Sequence, residues 1–152
     1  MAVNPIPDEY PQVITYLIVD DAEAAIAFYR DVFGATERLR MPGPDGKIGH
    51  AELEIGRGLF MLADAAPEDD TPTRLGGTPV TVMVYVEDVD QVFDRALQAG
   101  GKEVRAVADQ FYGDRSGIFL DPFGHKWYVA THVEDIDEEE MGRRAAEFAQ
   151  QG

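Results

Sequence analysis

The run "GHAELEI" places His50, Glu52 and Glu54 at alternate positions, so an extended chain sets one imidazole and two carboxylates on a single face. An imidazole beside a carboxylate can serve as a general base or give two ligands to a divalent cation. The second concentration is "FYGDRSGIFLDPFGHKW", residues 111 to 127. Its "DPFG" is turn chemistry, with Asp and Pro setting a tight turn and Gly releasing the next strand, so His125 at the tip is expected to be exposed and Trp127 to be core. Phe111, Tyr112, Asp114 and Arg115 exceed what a turn requires. Arg115 can grip a carboxylate or phosphate bidentately; alternatively it belongs to an ion-pair network, internal with Asp114 or at a dimer interface.

Other chemistries find less to work with. Ser116 is the one serine, and no acid–His–Ser arrangement surrounds it. There is no cysteine, which removes disulfides, thiolate zinc sites and thiol nucleophiles. "LGGTP" lacks the strand-to-helix context of a phosphate or dinucleotide loop. With 29 acidic against 13 basic side chains the formal charge is −16, which repels a phosphate backbone or an anionic membrane, so nucleic acid and membrane are not expected as partners. No apolar run approaches the roughly 20 residues of a membrane helix, and "MAVNPIPDEYP" has neither a basic nor an apolar leader segment, so a cytoplasmic location is expected.

The elements that must position these groups come from a repeat. Val19 falls on Val86, Asp21 on Asp88 and Gly34 on Gly101, an offset of 67 residues held without a gap through Gly46 on Gly113, Leu53 on Leu120, Phe60 on Trp127 and Ala63 on Ala130. Each copy opens with a β-branched run that ends at an acidic pair, Asp20 with Glu23 forming a capping box. A helix follows, with Ala22, Ile26, Tyr29 and Phe33 in the first copy and Val89, Phe93, Ala96 and Gly100 in the second on one stripe. Three strands come next: "ATERLRM", "KIGHAELEI" and "GLFMLAD", then "KEVRAVA", "SGIFLD" and "KWYVAT". The chain thus reads as a single domain of two β-α-β-β-β repeats, residues 13–64 and 80–131. An exposed linker, 65–79, separates them, and a C-terminal helix, 137–149, is capped by Asp137 with Glu140 completing the box and Met141, Ala145 and Phe148 as its stripe.

Strand alternation sorts the faces. Thr15, Leu17, Val19, Val82, Val84 and Val86 lie under the helices, with Ala51, Leu53, Ile55, Phe60, Leu62, Trp127 and Val129. The opposite face forms a cleft lined by Ile14, Tyr16, Met61, Met83, Tyr85, Phe119 and Tyr128, with His50 and Glu52 as polar members. Apolar walls with few polar groups suit a small-molecule pocket; the same face could instead pack on a second subunit. Candidate ligand-binding residues are Tyr16, Met83, Tyr85, Tyr112, Arg115, Phe119 and Tyr128, and candidate catalytic residues are His50 and Glu52.

The two repeats, with "VDDAEAAIAFYRDVFGA" in the first and "FYGDRSGIFLDPFGHKW" in the second, resemble the vicinal oxygen chelate superfamily, which includes glyoxalases, bleomycin-resistance proteins and extradiol dioxygenases. "GTP", "VYVEDVD", "DPFGHKW" and "ATHVED" are similar to its PhnB-like branch. The resemblance covers residues 10 to 144 and implies an α+β fold, a curved mixed sheet around a cleft, and a homodimer. The superfamily's enzymes hold a divalent metal through His and Glu on the first and last strands of each repeat. By register those positions are Ile14, Met61, Thr81 and Tyr128, none of them His, Asp or Glu. Three or four N, O or S donors at about 2.0–2.3 Å are needed, so no metal and no other cofactor is expected. A displaced site would draw on His50 and Glu52 with Tyr128 or Glu54. Relatives labelled demethylubiquinone methyltransferases find no support here, because no glycine-rich loop follows a strand. The resemblance implies a small-molecule binder or sequestering protein; the alternative is a lyase, isomerase or hydrolase that uses His50 or Glu52.

Overall fold

The computed structural model describes residues 2–152. Eight strands form two separate four-stranded sheets. The first repeat contains β1 (Thr15–Val19), α1 (Ala22–Phe33), β2 (Thr36–Pro42), β3 (Ile48–Ile55) and β4 (Gly58–Asp64), in sheet order β1-β4-β3-β2. After a short helix α2 (Pro72–Leu75), the second repeat has β5 (Thr81–Tyr85), α3 (Val89–Gln98), β6 (Lys102–Asp109), β7 (Asp114–Leu120) and β8 (Lys126–His132), in order β5-β8-β7-β6. The first and last strands of each repeat pair in parallel and the rest are antiparallel. The fold is α+β, closed by α4 (Glu138–Gln150). Contacts group the chain into two compact units: residues up to Thr78 with Phe123–His125, and Pro79–Pro122 with Lys126–Gly152.

The repeat is visible in the helix starts. Asp21 accepts from the Ala24 N–H at 3.0 Å and Asp88 from the Gln91 N–H at 3.1 Å. The cap of α1 is therefore Asp21 rather than Asp20, and Glu23 turns away to Arg40. The next orphan donor is met from the end of the parallel partner strand: Ala22 N–H donates to Asp64 Oδ1 at 2.7 Å and Val89 N–H to Thr131 Oγ1 at 2.9 Å. Each helix then buries its stripe, Ala22, Ile26 and Tyr29 in one and Val89, Phe93 and Ala96 in the other, on Leu53, Leu62, Trp127 and Val129 of the respective sheets.

The gapless offset fails in the middle of the repeat. Leu53 pairs with Phe60, seven residues on, whereas Phe119 pairs with Trp127, eight on, because the turn Asp121–His125 is one residue longer than its counterpart. One residue fewer from the start of α3 to the start of β6 than from the start of α1 to the start of β2 compensates, so the offset is 67 in the first and last strands of the repeat and 66 across β6 and β7. A one-residue slip turns every side chain of that hairpin over. Phe119 is consequently fully buried on the helix side, edge to face with Phe93 at 5.9 Å, and does not line the opposite face as expected. Arg115 goes to the helix side too, while Asp114, Ser116 and Ile118 come to the other. Gly117 sits under the helix, where a Cβ would come within 2.9 Å of Phe93 and Val107.

Three further expectations are corrected. The 65–79 connection is not simply exposed: Thr71 is buried, caps α2, and Arg74 donates to the Ala66 and Pro67 carbonyls. His125 is half-buried and donates from Nε2 to the Ile18 carbonyl at 2.9 Å, since the longer turn closes back on the first unit's own strand. Asp137 caps α4 by accepting from the Glu140 N–H, but the Glu140 carboxylate pairs with Arg143 and Arg144, so the box is half made. Those two guanidinium groups hold the Glu140 carboxyl down at about 2.

Candidate functional site

In the first unit the face away from α1 carries a linear chain of polar groups. Tyr16, on β1, places its hydroxyl 2.8 Å from His50 Nδ1, and His50 Nε2 lies 3.0 Å from Glu52 Oε2. Alternation along β3 brings His50 and Glu52 to one face, as their spacing predicts, and parallel pairing of β1 with β4 brings Tyr16 alongside. The far end was not legible in the sequence. Tyr10, in the proline-rich segment before β1, donates to both Glu52 oxygens at 3.0 and 3.1 Å, and Arg38 from β2 stacks over the Tyr10 ring at 4.8 Å with its Nε 3.8 Å from Glu52.

Glu52 is 2% exposed. Burial pushes its carboxyl up, but the hydrogen bonds from His50 and Tyr10 and the charge of Arg38 outweigh that and hold it below the ordinary carboxylate range. The same carboxylate pushes Tyr10 up through its hydrogen bond, and burial raises Tyr16. The Glu54 carboxylate stands only 3.9 Å from Arg38, outside the chain. A cavity of roughly 500 Å³ opens beside Glu52, walled by Pro5, Pro7, Tyr10, Ile14 and Met61. A second, of roughly 590 Å³, lies against Tyr16, Ile18, Lys47, Ala63 and Arg74.

In the second unit the corresponding face holds two clusters. Tyr85 on β5 donates to Asp114 Oδ2 at 2.8 Å, and Asp114 Oδ1 lies 2.8 Å from His132 Nδ1, whose Nε2 reaches Asp135 at 2.8 Å. Tyr128 on β8 meets the Tyr112 hydroxyl, accepts from Ser116 Oγ at 3.1 Å, and lies under the Arg105 guanidinium at 5.0 Å. Tyr85 and Met83 are 58% and 49% exposed, and Tyr16 in the first unit is 45% exposed. Arg115 stands elsewhere, on the α3 side, ion-paired with Asp90 at 2.8 Å and Asp109 at 3.2 Å.

Of the expected ligand-facing residues, then, Met83, Tyr85, Tyr112 and Tyr128 share one face of the second unit. Arg115 and Phe119 are on the other, and Tyr16 stands with His50 and Glu52 in the first unit. Arg105 and His132 are not among the expected site residues; Asp114 is, but its partners are Tyr85 and His132 rather than Arg115, and Ser116 stands on this face as a hydrogen-bonding hydroxyl. The register slip hid the face of Asp114 and Ser116, and a bulge in β6 between Glu103 and Arg105 hid that of Arg105.

The positions that the resemblance makes metal ligands do not fit a divalent ion. Ile14 and Met61 offer the first unit a hydrocarbon and a thioether along an apolar cavity wall. Among the described residues no three His, Asp or Glu side chains converge as a metal site.

The fold and these two faces define a class. A family model described as the Glyoxalase/Bleomycin resistance protein/Dioxygenase superfamily matches residues 11–129, and the chain belongs to that superfamily. It is 47% identical over 146 residues to the uncharacterized protein Rv0887c of Mycobacterium tuberculosis, covering 93% of this chain and 84% of that one. Among solved structures it is similar to TioX from Micromonospora sp. ML1, with 28% identity over 84% of this chain and all of that chain at a TM-score of 0.63. It is also similar to a PhnB protein from Bacillus cereus, described as a putative 3-demethylubiquinone-9 3-methyltransferase, with 20% identity over 80% of this chain and 99% of that one at a TM-score of 0.63. At that identity the likeness speaks to the fold. Among the described residues no helix is long and apolar enough to cross a membrane.

Proposed function

We propose that this chain binds or sequesters a small planar or aromatic molecule without a metal or other cofactor, acting as a cytoplasmic homodimer. The observation that carries this reading is a set of exposed, oriented aromatic and thioether side chains. Tyr16, Met83 and Tyr85 are each about half exposed, and both tyrosine hydroxyls are fixed from behind by hydrogen bonds to His50 and Asp114. Rings locked by their own hydroxyls present a π face with little ordering left to lose on binding. Isothermal calorimetry against a panel of planar aromatics, with metal analysis of the same preparation, tests it. Tyr85→Ala is expected to weaken the best binder roughly tenfold, the effect of about 1.4 kcal/mol. An affinity unchanged in Tyr85→Ala and Tyr16→Ala alike contradicts the reading.

A second reading is supported by the Tyr16–His50–Glu52 chain: a lyase, isomerase or hydrolase in which His50, oriented by a buried carboxylate, is the general base. It predicts turnover that disappears in His50→Ala and falls strongly in Glu52→Gln, whereas the binding reading predicts at most a partial loss of affinity in His50→Ala, through the freed Tyr16, with the contribution of Tyr85, held by Asp114, retained.

A further inference from the structure

The open face of β6, β7 and β8 carries more hydrogen-bond donors than acceptors. Arg105 Nη2 donates to Ser116 Oγ at 2.6 Å, the buried Ser116 gives its one proton to Tyr128 Oη at 3.1 Å, and the Tyr112 and Tyr128 hydroxyls share one further bond. Two phenols with one bond between them leave one phenolic proton without an acceptor in the cluster. A guanidinium only donates, and two of the Arg105 nitrogens are idle: Nε is buried without a partner, and Nη1 has no partner and is not buried.

The cation is not neutralised locally. None of the ion pairs found among the described residues involves Arg105, and Asp114, the carboxylate on this face, is taken up by Tyr85 and His132. Elsewhere in a chain of formal charge −16, Arg38, Arg40, Arg115, Arg143 and Arg144 all stand beside carboxylates. A half-buried arginine ringed by hydroxyls is instead set out for an acceptor from outside the chain.

The strand register ties this cation to the exposed aromatic patch. Met83, Tyr128, Ile118 and Arg105 lie side by side across β5, β8, β7 and β6. The Arg105 guanidinium folds back over the Tyr128 ring, 5.0 Å from its centroid. That leaves it about one strand spacing, roughly 4.8 Å, from the line of β5, where Met83 and Tyr85 are two apart on one face and half exposed. A flat ring resting on those two side chains has its near edge beside the guanidinium.

We propose that Arg105, with the spare phenolic proton of the Tyr112 and Tyr128 pair, is an anion subsite that takes the carboxylate of a planar aromatic acid whose ring rests on Met83 and Tyr85. One cation and one free hydroxyl match the two oxygens of a carboxylate: one oxygen accepts from Nη1 and the other from the phenol. No proton or electron is transferred. The ring contact rests on the binding reading above; the anion contact does not.

Nitrogen-15 NMR of the whole protein reads the anion contact directly. The Arg105 Nε–H signal, identified by its loss in Arg105→Lys, is expected to shift on titration with acetate, and with benzoate at a concentration roughly tenfold lower, because the ring adds its own contact. Benzamide, neutral and of nearly the same shape, is expected to shift it far less. In calorimetry, benzoate is expected to bind Arg105→Met roughly tenfold more weakly than the natural protein, with the affinity for benzamide unchanged. An Arg105 signal that neither acetate nor benzoate moves overturns the proposal, as does a benzoate affinity that is equal in the natural protein and Arg105→Met. A signal that acetate and benzoate move alike at equal concentrations supports the anion subsite and overturns the ring contact, and with it the binding reading on this face.

Discussion

The two repeats use one strand layout with opposite polarity across the central strand pair. In the first unit Glu52 on β3 pairs with Met61 on β4; in the second, Ile118 on β7 pairs with Tyr128 on β8. The polar member has changed strands. Around Glu52 the donors Tyr10, His50 and Arg38 converge on a buried carboxylate, whereas around Tyr128 the donors Ser116 and Tyr112 converge on a phenol beneath Arg105. Both centres are acceptors held by donors, from the same strand, a neighbouring strand and an irregular segment at Glu52 (His50, Arg38 and Tyr10) and from a neighbouring strand and a turn at Tyr128 (Ser116 and Tyr112). The first is an anion by its own chemistry, and the second becomes one only by losing a proton.

The comparison depends on the turned-over hairpin, and the largest expected effect tests that geometry. Phe119→Ala is expected to destabilise the fold by about 3–5 kcal/mol, because a fully buried ring against Phe93 is lost. The half-buried Ile118→Ala is expected to cost clearly less than Phe119→Ala. Urea unfolding followed by the single tryptophan, Trp127, measures both. Equal costs, or the reverse order, would restore the gapless alignment and return Phe119 to the ligand face.

That hairpin also marks the limit of what the sequence discloses. Strand alternation around Ala51 and Leu53 is unambiguous, since His50, Glu52 and Glu54 flank them, and the tight turn after Ile55 carries that parity onto Phe60 and Leu62, so the faces of the first repeat follow from it. In "DRSGIFLD" the apolar residues Ile118, Phe119 and Leu120 are consecutive, so either parity is acceptable locally, and only the length of the Asp121–His125 turn decides. The His50–Glu52 pair was legible because its members are two apart on one strand. Tyr10 was not, because an irregular segment gives no period from which to read a direction. Arg105 was hidden by a bulge.

A middle-sized effect separates the two acceptors. Glu52→Gln keeps the shape but replaces a carboxylate that accepts from Tyr10 and His50 with an amide that can meet only part of that demand, and is expected to cost about 1–3 kcal/mol. It also changes the response to acid. The folded carboxyl lies below its unfolded value, so its stabilisation is present above the ordinary carboxylate range and is lost as pH falls through the lowered value. The natural protein is therefore expected to lose stability over that acid range more steeply than Glu52→Gln does. Parallel stability curves would mean that Glu52 is not held ionised by its neighbours, and the contrast with Tyr128 would weaken.

The smallest effect concerns the histidines. His50 is placed between a carboxylate and a phenol, whereas His132 is placed between two carboxylates, Asp114 and Asp135, one on each ring nitrogen. Both nitrogens of His132 must donate to satisfy those partners, which only the imidazolium does. The bonds to Asp114 and then to Asp135 raise it above the ordinary histidine value. The sign follows: the stabilisation is complete below the unfolded value and disappears as pH rises through the raised folded one. Because the side chain is half exposed, salt screens the pair and the contribution to stability is small. The titration midpoint is the better probe. By NMR, His132 is expected to titrate above the unperturbed histidine value, and Asp135→Asn to lower the midpoint without abolishing the shift, since Asp114, 3% exposed, is the less screened partner. A midpoint at or below the unperturbed value would release Asp114 from His132 and leave Tyr85 as its one partner, removing the feature that most clearly distinguishes the second face from the first.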